Sequence, residues 1–139
     1  MVEIVVPEEI SGPAMNRLQE EFDVLHEPTL WRDEHALMSA IKDAKAVIVR
    51  NQTQITSAVI ENSSKLKVIA RAGAGLDNID TQAAGRHGVI VTYAPRENSL
   101  AVAELALGFL LNLARDIPNA HVDTRNGNWN RRQFMGTEL

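Results

Sequence analysis

Leu66-Lys67-Val68-Ile69-Ala70-Arg71-Ala72-Gly73-Ala74-Gly75-Leu76-Asp77-Asn78-Ile79-Asp80 is the stretch on which the fold turns. Residues 66–70 read as a buried strand, and residues 81–87 that follow the stretch read as a helix. Asp80 is placed to cap that helix and Gly88 to stop it. Between strand and helix, Gly73 and Gly75 lack a Cβ, so the backbone can turn sharply and come close to a ligand. A turn of this kind can point successive amides outward as an anion-binding nest. Arg71 stands at its mouth.

The same strand–turn–helix unit repeats outward from this stretch. Toward the N-terminus, residues 46–49 form an apolar strand ending at Arg50, and Thr56 is placed to cap a helix over 57–62. Before that, Asp33 caps a helix running to Asp43 with Leu37, Met38 and Ile41 inward. Residues 23–26 make a weaker strand. Ser11-Gly12-Pro13 opens a helix with Ser11 as its cap and Met15, Leu18 and Phe22 as its buried stripe. Residues 3–6, ended by Pro7, are the first strand. Toward the C-terminus, residues 89–92 form the fifth, followed by Tyr93-Ala94-Pro95. The strands alternate with helices, and the stronger ones are continuously apolar. This is the pattern of an α/β fold, a parallel five-stranded sheet covered on both faces by helices. Ligands in such folds bind outside the carboxyl ends of the strands. Arg50, Arg71 with its glycine turn, and Pro95-Arg96-Glu97-Asn98-Ser99 all follow strands and therefore share that rim.

Residues 99–115 behave differently. Leu100, Val102, Leu105, Leu107, Phe109, Leu110, Leu111 and Leu113 make this helix apolar nearly all round, with Glu104 read as a satisfied buried carboxylate. A helix apolar on every face needs cover on every face, from a second domain or another subunit. The tail 126–135 interleaves Trp129, Arg131, Arg132 and Phe134 with polar residues, which suits an interface.

Composition narrows the function classes. The chain has 139 residues, a net charge of -4 and no cysteine. The acidic balance gives no overall attraction for nucleic acid or an anionic membrane surface. Without cysteine there is neither a disulfide nor a thiolate metal site, which fits a cytoplasmic protein. The longest apolar run, 100–114, is shorter than the roughly 20 residues of a membrane span. His26, His35, His87 and His121 lie beside no rim carboxylate and read as surface residues. No spacing of ligating residues points to a metal.

Three readings of the glycine turn stand at this point. A dinucleotide loop requires G-x-G-x-x-G opening a helix, but Asn78 occupies the third position and the helix starts late. An ordinary tight turn is the second. The third is a carboxylate cradle formed by the amides of Ala74 and Gly75, with Arg50 and Arg71 alongside. Paired guanidinium groups suit phosphate or carboxylate through forked hydrogen bonds; the plainer reading of both is a solvated surface charge.

Three segments then carry a resemblance. Val49-Arg50-Asn51-Gln52-Thr53-Gln54-Ile55-Thr56, the stretch from Arg71 to Asp80, and Asn98-Ser99-Leu100-Ala101-Val102-Ala103-Glu104 are similar to the D-isomer-specific 2-hydroxyacid dehydrogenases. The ending from Gly127 to Leu139 most resembles the phosphoglycerate-oxidising members. The resemblance implies a flavodoxin-like, doubly wound substrate domain over 1–97, then the start of an NAD-binding Rossmann domain over 98–139. It implies that Ala74, Gly75, Arg50 and Arg71 bind an anionic 2-hydroxy or 2-keto acid, with Asn98 and Ser99 near the cofactor. It further implies a homodimer formed through 100–135. The family's dinucleotide loop and its catalytic arginine, glutamate and histidine match nothing in these 139 residues. The expectation is therefore a substrate-binding part with no catalytic residue of its own and no turnover alone.

Overall fold

In the computed structural model, which describes residues 2–139, the chain divides into two compact units, one running to Glu97 and the other Asn98–Leu139. The first unit contains five strands and four helices: β1 (Ile4–Val6), α1 (Pro13–Glu21), β2 (Val24–His26), α2 (Glu34–Ile41), β3 (Ala46–Val49), α3 (Ser57–Glu61), β4 (Val68–Arg71), α4 (Thr81–Arg86) and β5 (Ile90–Tyr93). All neighbouring strands pair in parallel, in the order β2-β1-β3-β4-β5. That is the flavodoxin-like order, with its switch point between β1 and β3. The crossover helices between parallel strands explain why the sequence alternates as it does.

Three expected caps form. Asp33 Oδ1 accepts from the Ala36 amide at 3.0 Å, Thr56 Oγ1 from Val59 at 3.4 Å and Asp80 Oδ1 from Ala83 at 2.8 Å. Each satisfies an amide that the first helical turn leaves unpaired. Ser11 does not cap α1. The residue at that position is Gly12, with φ +121°, and no side chain bonds the first turn. Pro13 already removes one of the free amides there, which lowers the need for a cap. Phe22 also departs from expectation. It lies just past α1 with extended backbone and is 44% exposed, while Met15 is buried and Leu18 half-buried.

The core forms on both sides of the sheet, unevenly. Val5, Val47, Val49 and Ile69 pack with Leu37 and Ile41 of α2, Val59 and Ile60 of α3, and Ala83 and Ala84 of α4. Ile4 and Val6 pack with Met15, and Leu18, Ala46 and Ile48 join them. Along this second face the register continues Ala46↔Val68↔Ile90, yet Ile90 is 65% exposed. The expectation of helices over both faces is therefore corrected at the β5 edge. β5 is the edge strand of the sheet.

The second unit holds α5 (Ser99–Arg115) and α6 (Ile117–Arg125), separated by Asp116, the one non-glycine residue with positive φ among those described. Gly136 sits against α5: a Cβ there would meet Ala114 O at 2.5 Å, and the next amide, of Thr137, bonds that same carbonyl at 2.8 Å. The tail thus folds back on the end of its own helix. No residue of α5 is buried, and its large apolar side chains are 41% to 82% exposed. Glu104 is exposed too, which corrects its reading as a buried carboxylate. No helix among the described residues is long and apolar enough to cross a membrane.

Candidate functional site

The carboxyl ends of β1, β3 and β4 bring together three loops that are far apart in sequence. Arg71 is paired in register with Val49, the residue before Arg50, so the two arginines follow neighbouring strands. The Ala72 amide bonds Val49 O at 2.8 Å, and Ala94, after β5, bonds Gly73 O at 3.0 Å. The glycine loop is therefore anchored to both neighbouring strand ends.

Glu8, which the sequence reading passed over, lies at the switch point itself. It follows β1 and is 1% exposed. Its Oε1 accepts from the amides of Arg50 at 2.7 Å and Thr53 at 3.0 Å, and its Oε2 from Gln52 at 3.0 Å. Burial pushes the Glu8 carboxyl up, but the donors from Thr53, Arg50 and Gln52 outweigh it and hold the group below the ordinary range. The crevice where this fold commonly takes a ligand is filled here by the chain's own carboxylate.

Asn78 is the second residue whose role the sequence reading did not recognise. It is 3% exposed. Its Nδ2 donates to Arg50 O at 2.8 Å and Thr53 O at 2.7 Å, while its Oδ1 accepts from Arg71 Nε at 3.3 Å. Glu8 carries no local sequence signal, since its donors lie 42 to 45 residues away. For Asn78 the signal was an amide side chain in the position where a dinucleotide loop carries glycine.

Of the residues singled out on the rim, Arg50 is exposed, and its Nη1 touches only Glu9 O at 3.3 Å. Arg71 is half-buried, with Nη1 donating to Ala72 O at 3.1 Å. Neither forms an ion pair with a carboxylate among the described residues. The amides of Ala74 and Gly75 donate to no described residue. Arg96 is exposed and joins none of these bonds. Asn98 precedes α5 without a side-chain cap, and Ser99 is its first residue; both belong to the second unit. His26 is not a plain surface residue: it is half-buried and its Nε2 lies 3.1 Å from Glu8 O.

The glycines matter for packing rather than for an unusual backbone. Neither Gly73 nor Gly75 has positive φ. The Arg71 guanidinium lies over Gly73, where a Cβ would collide with Nη1 and sit 3.0 Å from Cζ. A Cβ on Gly75 would stand 2.7 Å from Asp77 Oδ1. These residues do not fit a dinucleotide. Asn78 fills the third glycine position and is committed to three bonds, α4 starts only at Thr81, and Asp77 sets a carboxylate against the loop. The nearby groove of about 310 Å³, lined by residues including Gln54, Thr56, Asp77 and Asp80, is acidic and contains neither arginine. Arg50 is exposed at the end of β3 and Arg71 half-buried at the end of β4. Among the described residues no group of three ligating side chains is placed to hold a metal.

Comparison with known proteins identifies the family. The family model for the D-isomer specific 2-hydroxyacid dehydrogenase catalytic domain matches residues 4–137. The chain is 44% identical over its full length to a D-3-phosphoglycerate dehydrogenase of Methanocaldococcus jannaschii, covering 26% of that protein. It is 45% identical over 116 residues to the enzyme of the same name from Sus scrofa, covering 84% of this chain and 21% of that one. Among solved structures, the TT0316 protein of Thermus thermophilus superposes with a TM-score of 0.85 at 28% identity, over 99% of this chain and 46% of that one. The NAD+-bound 3-phosphoglycerate dehydrogenase of Entamoeba histolytica gives 0.66 at 32% identity, over 82% and 39%. The chain thus spans about a quarter of the length of the curated relatives it matches. With the parallel 2-1-3-4-5 sheet and a family match over nearly every residue, this chain belongs to the D-isomer specific 2-hydroxyacid dehydrogenases.

Proposed function

We propose that the unit ending at Glu97 binds the anionic substrate of an NAD-dependent D-2-hydroxyacid dehydrogenase, with 3-phosphoglycerate and 3-phosphohydroxypyruvate as the pair, a step toward serine. One observation carries this reading. Arg50 and Arg71 follow neighbouring strands without a carboxylate partner among the described residues, beside the amides of Ala74 and Gly75, which like those of Leu76, Asp77 and Asn78 donate to no described residue. A phosphate and a carboxylate on one small molecule match two guanidiniums and two amides, since charge-assisted bonds to such groups are the strong ones. The 44% identity to a D-3-phosphoglycerate dehydrogenase favours this substrate over hydroxypyruvate or glyoxylate, which lack the phosphate.

In this reading NAD is held by residues other than these, and Asn98 and Ser99 lie toward it. The 139 residues bind substrate and do not turn it over alone; reduction of 3-phosphohydroxypyruvate by this chain with NADH contradicts that. The exposed apolar residues of α5, with the Trp129 loop, form a homodimer contact, and a monomer on sedimentation of the complete enzyme removes it. The deciding substitution is Arg50→Ala in the complete enzyme. Loss of a charge-assisted bond raises KM for 3-phosphoglycerate about tenfold or more. An unchanged KM takes Arg50 out of the site.

A further inference from the structure

Glu8 is a buried carboxylate in no ion pair among the described residues, and all its side-chain bonds run to one short loop. A carboxylate buried without a counter-ion is expensive unless several donors converge on it, as three amides do here. The three amides belong to Arg50, Gln52 and Thr53, so the loop after β3 is wrapped around the acid as a closed anion nest. Residue 50 is then fixed at both ends of its backbone: its N–H by Glu8 at 2.7 Å and its C=O by Asn78 at 2.8 Å. The other end of the Asn78 amide receives Arg71 Nε. A continuous line of hydrogen bonds therefore runs from Glu8, through the loop, through Asn78, to the second guanidinium.

From the end points of that line we infer that Glu8 and Asn78 are positioning residues that fix the separation of Arg50 and Arg71 for a ligand carrying two anionic groups; this rests on the substrate reading above. The line holds residue 50 by its backbone on both sides and ends on the guanidinium of Arg71. Rigid support of this kind is what keeps a binding constellation within a fraction of an ångström of its working geometry.

Glu8→Gln separates three roles by the sign of its effect. Removing a negative charge beside Arg50 strengthens anion binding if Glu8 acts only through its field. A purely structural brace leaves the affinity of folded protein unchanged. Positioning weakens it. The glutamine amide must turn its own N–H2 toward Gln52 N–H or toward the Arg50 and Thr53 pair, which opposes donor to donor and displaces the loop.

The experiment measures Kd of the 139-residue chain for 3-phosphoglycerate and for D-lactate, which carries one anionic group. Glu8→Gln is expected to weaken 3-phosphoglycerate about tenfold and lactate less than about twofold. In an Arg50→Ala background the same substitution adds less than about twofold, because the two act through one bond. Tighter or unchanged binding of 3-phosphoglycerate overturns the positioning role, as does an equal loss with or without Arg50. Should Glu8→Gln not fold, Glu8→Asp, which keeps the charge on a side chain one methylene shorter, takes its place with the same expected split between ligands. A wild-type chain that binds neither ligand refutes the substrate reading and the positioning role with it. Wild-type binding lost in Arg50→Ala but intact in both Glu8 variants refutes positioning alone.

Discussion

Asn78→Ala removes a side chain that ties two loops together, and its cost can be worked from the bonds it breaks. Asn78 is 3% exposed and gives Nδ2 to two carbonyls while its Oδ1 takes Arg71 Nε at 3.3 Å. Thr53 is 0% exposed, so its carbonyl, bonded at 2.7 Å, cannot replace the lost donor with bulk water. A buried acceptor left alone costs about 2 kcal/mol, and the Arg50 carbonyl, at the rim, about 1 kcal/mol. Arg71 Nε reaches solvent at little cost. The expected loss is therefore about 3 kcal/mol, a large share of the roughly 5–15 kcal/mol that holds a domain folded. Urea unfolding followed by far-UV circular dichroism reads it directly. With a slope of about 2 kcal/mol per molar, the midpoint falls by about 1.5 M and the slope is unchanged. A loss under about 1 kcal/mol refutes the reasoning, since the Thr53 carbonyl would then have another partner. Asn78→Asp sharpens the result. It keeps an acceptor for Arg71 but turns an oxygen on two carbonyls, so the introduced carboxyl has a raised pKa and stability recovers as pH falls.

Two further outcomes follow from the same rim. Because the Glu8 carboxyl is held below the ordinary range in the folded protein, its contribution is complete above the unfolded value of about 4.3 and is lost as pH falls through the lower folded value. Glu8→Gln therefore flattens the acid limb of stability against pH below about 5, and an unaltered limb contradicts the bond pattern. Gly73→Ala leaves the backbone at ease, since its φ is not positive, but drives the Arg71 guanidinium off the loop. Its melting temperature stays within a few degrees (a change of about 0.5 kcal/mol) while 3-phosphoglycerate affinity falls several-fold. Lost stability with unchanged affinity would place Arg71 outside the site.

The local features were legible because local interactions decide them. Asp33, Thr56 and Asp80 stand one residue before their helices and cap them through amides three residues on. Continuous apolar strands separated by helices specify a parallel sheet, and the sheet is parallel. Ser11 failed as a cap because Gly12 and Pro13 moved the helix start by one residue.

The features that were missed are those set by distant residues. Glu8 sits in Pro7-Glu8-Glu9, which reads as an acidic turn, yet its donors lie 42 to 45 residues away. No periodicity or spacing reports such a contact. Asn78 registered only as a departure from a glycine motif, when its amide is what that position requires in this loop. The glycines were identified for the wrong reason. Their freedom of φ is unused, and a Cβ there would instead push aside the Arg71 and Asp77 side chains. Cover over both faces was expected of the whole sheet, yet Ile90, on the edge strand β5, is 65% exposed.

The central claim is that the arginine rim and the glycine loop of this chain together form an anion site. Its most direct test is a proton–nitrogen NMR titration of the 139-residue chain with 3-phosphoglycerate. The account predicts that the largest shifts fall on the amides of Ala74 and Gly75, which donate to no described residue, and on the Arg50 and Arg71 guanidinium signals. Shifts centred instead on Trp129–Gln133, or none at all, would contradict it.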